Sequence, residues 1–292
     1  MLSRQKIVVA ILQEVGGHAS RVQLMKWAFL LGMETPSHGG NTYYQFVPYL
    51  HGPHSFALYQ EIDTLLRDGV IEHQKENLSW ALNDNAQQDT IALPASIKTE
   101  LRYIMSKYGP MTRSQLIDMV YDKYPWYTIN CQDTNKRRGS RPVADTAVYT
   151  IGYEGLSVDN FLNRLLKNGI QCVVDVRNNP VSRRYGFHKS TLSRLCASLG
   201  LEYFHFPALG IPSSEREVLV VQDDYEKLFA TYRRNMLPNQ GETMKSVAAI
   251  LRAGPSVLVC MEADPAYCHR KSLAEALSSI AELPINHLEW PR

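Results

Sequence analysis

The sequence has few of the features that would declare a class outright. It has no long apolar run: the longest, such as residues 27–31 and 257–261, fall far short of the ~18–20 residues needed to cross a bilayer. The N-terminus lacks the apolar core and small-residue cleavage site of a secretory signal. A membrane partner is excluded on this reading, and the cytoplasm is the expected location. Cysteine is scarce as well. Cys131, Cys172, Cys196, Cys260 and Cys268 are odd in number and show no close-paired spacing, which argues against a disulfide framework and for reduced thiols. A formal net charge of +2 is too small to indicate a nucleic-acid partner by itself, so such a partner has to be read from local clusters of charge. There is no internal repeat and no low-complexity tract. What is present is 292 residues with 45% hydrophobic and 21% charged side chains, the composition of a folded chain of one or two domains.

Apolar residues at Ile7, Val8, Ala10, Ile11, Leu12 and Val15 recur at helical spacing and run into Gly16-Gly17, which can close a helix in the left-handed region. Ser20 is placed to cap a second helix reaching about Leu31, with Val22, Leu24, Met25, Ala28 and Phe29 as its apolar face. Residues 43–49 read as an aromatic extended segment and Gly52-Pro53 as a turn. A third helix is expected over 54–68, ended by Gly69, then two short strands, 70–74 and 78–82, around Lys75, Glu76 and Asn77. Helices followed by a small hairpin predict a winged-helix-like, mostly helical region over residues 1–131. Within it, 83–96 reads as a polar connector, and 97–108 and 112–124 as a further helix pair. Lys136, Arg137, Arg138 and Arg141 mark a basic linker at 132–146.

From 147 to 292 short apolar strands alternate with helical stretches, the signal of an α/β domain with three layers around a mainly parallel sheet. Strands are expected at 148–151, 172–176, 201–206 and 256–261, with an edge strand at 285–288. Helices are expected over 156–167, capped by Ser157, and over 192–199, 225–236, 242–252 and 269–280.

In open parallel sheets functional groups gather beyond the carboxyl ends of the strands, where loops vary on a rigid frame. Three loops follow from that rule: 152–155, 177–189 and 262–270. The second sets Arg177, Ser182, Arg183, Arg184 and Lys189 just past Asp175, and guanidinium forks suit phosphate. The functional reading is favoured over the plainer one, in which Asp175 and Arg177 form a structural ion pair that orients the loop. The third loop packs Glu262, Cys268, His269 and Arg270 between a strand and a helix start, a set that suits acid–base chemistry or a thiol nucleophile. Cys260, Glu262, Cys268 and His269 could in principle ligate a metal, but the spacing matches no zinc template and nearby arginines would repel a cation. Neither metal nor cofactor is expected. Cys260 reads evenly as a rim thiol or as packing at the end of a core strand, and His205 as a rim residue or a loop-fixing donor.

Residues 150–155, 174–177, Ser182-Arg183 with Gly186-Phe187, 205–210, and Cys260-Met261-Glu262 through Cys268-His269-Arg270 together resemble the DUF488 family over about 148–280. The resemblance implies the fold and a pocket and brings no established reaction. More loosely, residues 46–49, Gly52-Pro53-His54-Ser55 and the helix ending at Gly69-Val70-Ile71 resemble winged-helix modules of bacterial antitoxin-like and mobile-element proteins.

Arg21, Lys26, Lys98, Arg102, Lys107, Arg113 and the linker cluster supply candidate DNA contacts, with solvated helix faces as the plainer account. A DNA-holding half beside an arginine-rich crevice suggests a nucleotide or nucleobase as substrate. The expected function is a DNA-acting hydrolase of bacterial genome defence or maintenance, with N-glycosidic base excision ahead of strand cleavage. The catalytic candidates are Asp175, Glu262, His269 and Cys268. Tyr153, Glu154, Arg177, Ser182, Arg183, Phe187, His205 and Arg270 are the candidate phosphate or nucleotide contacts. Two other readings stay open: a winged-helix regulator sensing a nucleotide through its α/β domain, and a metal-dependent nuclease. Sulfur transfer through Cys260 or Cys268 has less in its favour.

Overall fold

The computed structural model describes residues 1–74, 78–88, 91–216 and 222–288. The chain divides into two compact units, Met1–Ser140 and Arg141–Arg292.

In the first unit the order is α1 (Ser3–Glu14), β1 (His18–Ser20), α2 (Arg21–Glu34), β2 (Val47–Tyr49), β3 (Gly52–His54), α3 (Phe56–Arg67), β4 (Ile71–Gln74), β5 (Ser79–Leu82), α4 (Asp84–Gln88), α5 (Ala95–Tyr108) and α6 (Arg113–Lys123). Local chemistry sets the helix starts. The hydroxyls of Ser20, Ser55 and Thr112 accept the backbone N–H of Gln23, Leu58 and Gln115, each satisfying one of the amides a helix start leaves unpaired. Gly16 and Gly17, with φ of 78° and 89°, turn the chain out of α1 as expected. Strands β1, β5 and β4 form an antiparallel sheet in that order; the expected turn at 75–77 lies outside the described residues.

Two expectations are corrected here. Gly52-Pro53 is not a bare turn but the start of β3, which pairs with β2 in an antiparallel hairpin. The connector 83–96 contains a short helix, α4, whose start is held by the Asn83 side chain accepting from Ala86 N at 2.6 Å. Lys26 cannot touch a phosphate: it is 1% exposed, and its ammonium donates to the His51 carbonyl. The basic stretch is tied down rather than loose. Lys136 and Arg138 pair with Asp118 and Asp122, each at 3.2 Å, and Arg137 Nε donates to the Cys131 carbonyl at 2.9 Å.

The second unit is the α/β fold read from the sequence. Its elements are β6 (Val148–Gly152), α7 (Val158–Lys167), β7 (Cys172–Asp175), α8 (Lys189–Ser198), β8 (Glu202–His205), α9 (Gln222–Thr231), α10 (Gly241–Ala253), β9 (Ser256–Cys260), α11 (Arg270–Ala281) and β10 (Ile285–His287). The sheet order is β10-β6-β9-β7-β8, and every pairing is parallel. Alternation along each strand sends side chains to two layers. Val148, Cys172, Val174 and Leu258 join Val247, Leu251, Leu273 and Leu277 of α10 and α11 in one core. Val173 and Asp175 face the opposite layer, with α7 and α8. Ser157 caps α7 by accepting Asn160 N at 3.1 Å.

Candidate functional site

The carboxyl ends of β6, β7 and β9 carry the candidate residues, and the sheet register explains how. Gly152 lies beside Cys260 and Asp175 beside Val259, so all three loops leave the sheet at one edge. Gly152 is required there by close approach: a Cβ at this position would lie 1.7 Å from the Glu262 carbonyl oxygen. The loop after β9 crosses the end of β6 only because that side chain is missing. Glu154 then fastens the crossing, its carboxylate accepting Ala263 N at 3.0 Å.

Because alternate residues point to opposite layers, the rim residues sort into two groups. The first is centred on Asp175, which is fully buried. Its Oδ1 accepts from Arg177 N at 3.1 Å and Arg177 Nε at 2.8 Å, and its Oδ2 from Arg177 Nη2 and the Tyr203 hydroxyl, both at 2.5 Å. Four hydrogen bonds fill the carboxylate's acceptor capacity. Arg177 Nη1 donates to the Tyr153 hydroxyl at 3.1 Å and the Phe187 carbonyl at 2.8 Å, and His205 Nε2 meets the Arg177 carbonyl at 2.9 Å. Tyr153 stacks on Phe187 with centroids 4.1 Å apart. Burial opposes charge on Arg177, but the hydrogen bonds and attraction of Asp175 outweigh it and hold the guanidinium's pKa above its usual value. Burial, reinforced by Asp175, pushes the Tyr203 hydroxyl well up. This group is a closed brace.

The second group lies on the α10–α11 side. The sulfurs of Cys260 and Cys268 and a ring nitrogen of His269 all fall within 4.8 Å of one another, and all three residues are buried. His269 Nδ1 is 3.8 Å from Cys260 Sγ and 4.0 Å from Cys268 Sγ, while Nε2 faces the Val176 carbonyl at 3.3 Å. Cys260 Sγ donates to Glu262 Oε2 at 3.1 Å. Arg270, 1% exposed, reaches back to the carbonyls of Glu262 and Ala263 and so folds the loop around the cluster. Burial pushes the Cys268 thiol well above its ordinary pKa, with Cys260 adding to the rise and His269 opposing it. A cavity of about 590 Å³ opens beside Cys268 between α9 and the start of α11, with Arg233 and Lys271 among its walls.

Residues 157–277 match the model of DUF488, a domain of unknown function. No curated protein and no solved structure matches the chain. Both groups at the rim fall within this matched stretch or border it.

The candidates thus fall in different places. Asp175, Arg177, Tyr153, Phe187 and His205 meet in the brace, and Glu262, Cys268, His269 and Arg270 meet in the thiol–imidazole group. Arg183 is exposed and Ser182 is used locally, accepting Arg184 N at 3.1 Å. The buried guanidiniums of Arg177 and Arg270 are engaged with protein acceptors, so the cations facing solvent on this loop are Arg183, Arg184 and Lys189. One participant was missed. Tyr203 sits two residues before Asp175's partner His205 on β8, a same-face position that alternation could have flagged. Cys260 stood evenly between rim chemistry and packing, and its place at the end of a core strand is what aims it at His269.

Proposed function

We propose that this protein is a DNA-acting hydrolase whose reaction centre lies at the rim of the five-stranded sheet, with base excision as its preferred reaction. The observation that carries the reading is the Glu262 carboxylate, half-buried and in contact with Cys260, whose sulfur also meets His269, at the strand ends where α/β folds bind substrates. Glu262 would position and deprotonate water, and Arg183, Arg184 and Lys189 would hold flanking phosphates. Asp175 and Arg177 take the role of loop positioning, since the acceptor capacity of Asp175 is filled and the buried Arg177 spends four side-chain hydrogen bonds on protein acceptors. A two-metal nuclease is less well supported. Among the described residues, the group of three or more potential ligands is thiol and imidazole, not the clustered carboxylates that bind paired hard cations.

For the first unit, the succession α1, β1, α2, α3, β4, β5 with sheet order β1-β5-β4 is compatible with a winged-helix reading, although the β2–β3 hairpin interrupts it. That supports DNA as the partner of this unit and also suits the regulator reading. Against it, α3 carries only Arg67 as a cation, with Asp63 and Asp68 close by. Exposed positive charge lies instead at Lys98, Arg102 and Arg113.

The test is incubation of the purified chain with plain and modified DNA, with and without chelator, followed by alkali. Abasic sites or nicks support the proposal. Their absence on every substrate, with DNA bound and released unchanged, would leave the regulator.

A further inference from the structure

We propose that Cys260, Cys268 and His269 form a binding site for one borderline-soft divalent metal ion, zinc being the best fit, with Glu262 beside its open fourth position. The metal site rests on the side-chain cluster alone; its use in hydrolysis rests on the function proposed above.

Geometry supports it first. Zinc bound tetrahedrally at ~2.3 Å to sulfur and ~2.0–2.1 Å to nitrogen separates those ligand atoms by roughly 3.6–3.8 Å. His269 Nδ1 stands 3.8 and 4.0 Å from the two sulfurs, and no pair in the cluster exceeds 4.8 Å. Contraction of a few tenths of an ångström on the two nitrogen–sulfur edges, and of no more than about 1 Å between the sulfurs, would close the site.

The imidazole is also presented the right way round. Val176's carbonyl can only accept, so the contact at 3.3 Å places the proton on Nε2 and leaves the Nδ1 lone pair toward the sulfurs. A backbone carbonyl that fixes the tautomer of a ligating histidine is a recurrent support for metal sites.

Charge, which weighed against a metal in the sequence, balances in space. Two thiolates and the Glu262 carboxylate together offset a divalent ion and the Arg270 guanidinium. Arg270 turns its Nη atoms to the carbonyls of Glu262 and Ala263, and Arg177 turns to Asp175. On binding, each thiol gives up its proton to solvent, and no oxidant or reductant is needed. Three protein ligands with a neighbouring carboxylate make the pattern of a catalytic site, in which the metal lowers the pKa of bound water.

The test uses the full chain, purified reduced and freed of metal, and titrated with Co²⁺. The expected result is saturation at about one ion per chain, with the sulfur-to-cobalt charge-transfer band and the visible bands of a tetrahedral site, both lost on adding Zn²⁺. Cys268→Ser and His269→Ala should each weaken binding at least about 100-fold, and Cys196→Ser, on the opposite layer, should leave it unchanged. Should a ligand variant fail to fold, the wild-type titration decides. Two results would overturn the site: no charge-transfer band while both thiols react with a thiol reagent, or a Cys260–Cys268 disulfide in place of metal. Metal bound with no hydrolysis of any DNA would overturn the hydrolase and leave the site standing.

Discussion

Arg177 closes on Asp175 through three hydrogen bonds, and the Tyr203 hydroxyl supplies a fourth to the same carboxylate. A carboxylate held in this way can set the course of a loop but has no acceptor position left to hold a water. Its removal should therefore read out as lost stability before lost chemistry.

Asp175→Asn and Arg177→Met should each destabilise the protein by about 3–5 kcal/mol, because each leaves one buried charge without its counter-ion. The double variant should recover part of that loss. Urea unfolding measures it; single variants that unfold like the wild type but turn over nothing would return Asp175 to a chemical role.

Gly152→Ala should cost about 1–3 kcal/mol and displace the loop carrying Glu262, since the new methyl meets backbone rather than a flexible side chain. Gly241→Ala, at the open first position of α10, is the control and should be neutral or slightly stabilising. Thermal melts of the two separate close approach from a general intolerance of substitution.

Glu262→Gln should lower turnover by about 10²–10⁴-fold with DNA affinity nearly unchanged. Arg183→Ala should do the reverse, weakening binding and reducing the slope of log K against log salt by about 1. Filter binding at several salt concentrations, alongside abasic-site counting, distinguishes the two roles.

Two groups of the first unit give pH signatures of the same sign, one at each end of the pH scale. Glu34 is opposed by burial, but hydrogen bonds from Lys123, Tyr108 and Tyr124 outweigh it and bring its pKa to about 2. The stability it contributes is complete above the unfolded carboxylate's range and is lost as pH falls toward 2. Burial brings Lys26 down to about 7 against 10.5, so the unfolded chain binds the extra proton between those values and stability should rise with pH across that window. Glu34→Gln should flatten the acid limb and Lys26→Met the alkaline rise. Melting temperature followed against pH would show both; a fall from pH 7 to 10 traced to Lys26 would reverse the sign argued here.

Much of the scaffold was legible in the sequence because it depends on local rules. Ser20 and Ser157 cap where their hydroxyls can reach free amides, and Cys172–Asp175 reads as a buried strand because β-branched residues crowd it. The β2–β3 hairpin was hidden because Pro48 and Pro53 face each other in its register, and proline argues against a strand wherever an N–H is needed. Lys26 looked like a surface cation since nothing in its neighbours announces the His51 carbonyl. At the rim the residues were found but not their partnerships. Alternation predicts which layer a side chain enters, whereas the crossing of the Glu262 loop over Gly152 depends on how two distant strands lie side by side.

One peptide plane has an unusual position. The carbonyl of Val176 receives His269 on one layer, while the residues on either side of it, Asp175 and Arg177, are clasped to each other on the opposite layer. The sheet is thus thin enough at this point to be mechanically shared. Tilting that single plane, by loosening the clasp or by tightening the sulfur–nitrogen triangle, should be felt through the sheet, and substitutions in the two sets should interact rather than add.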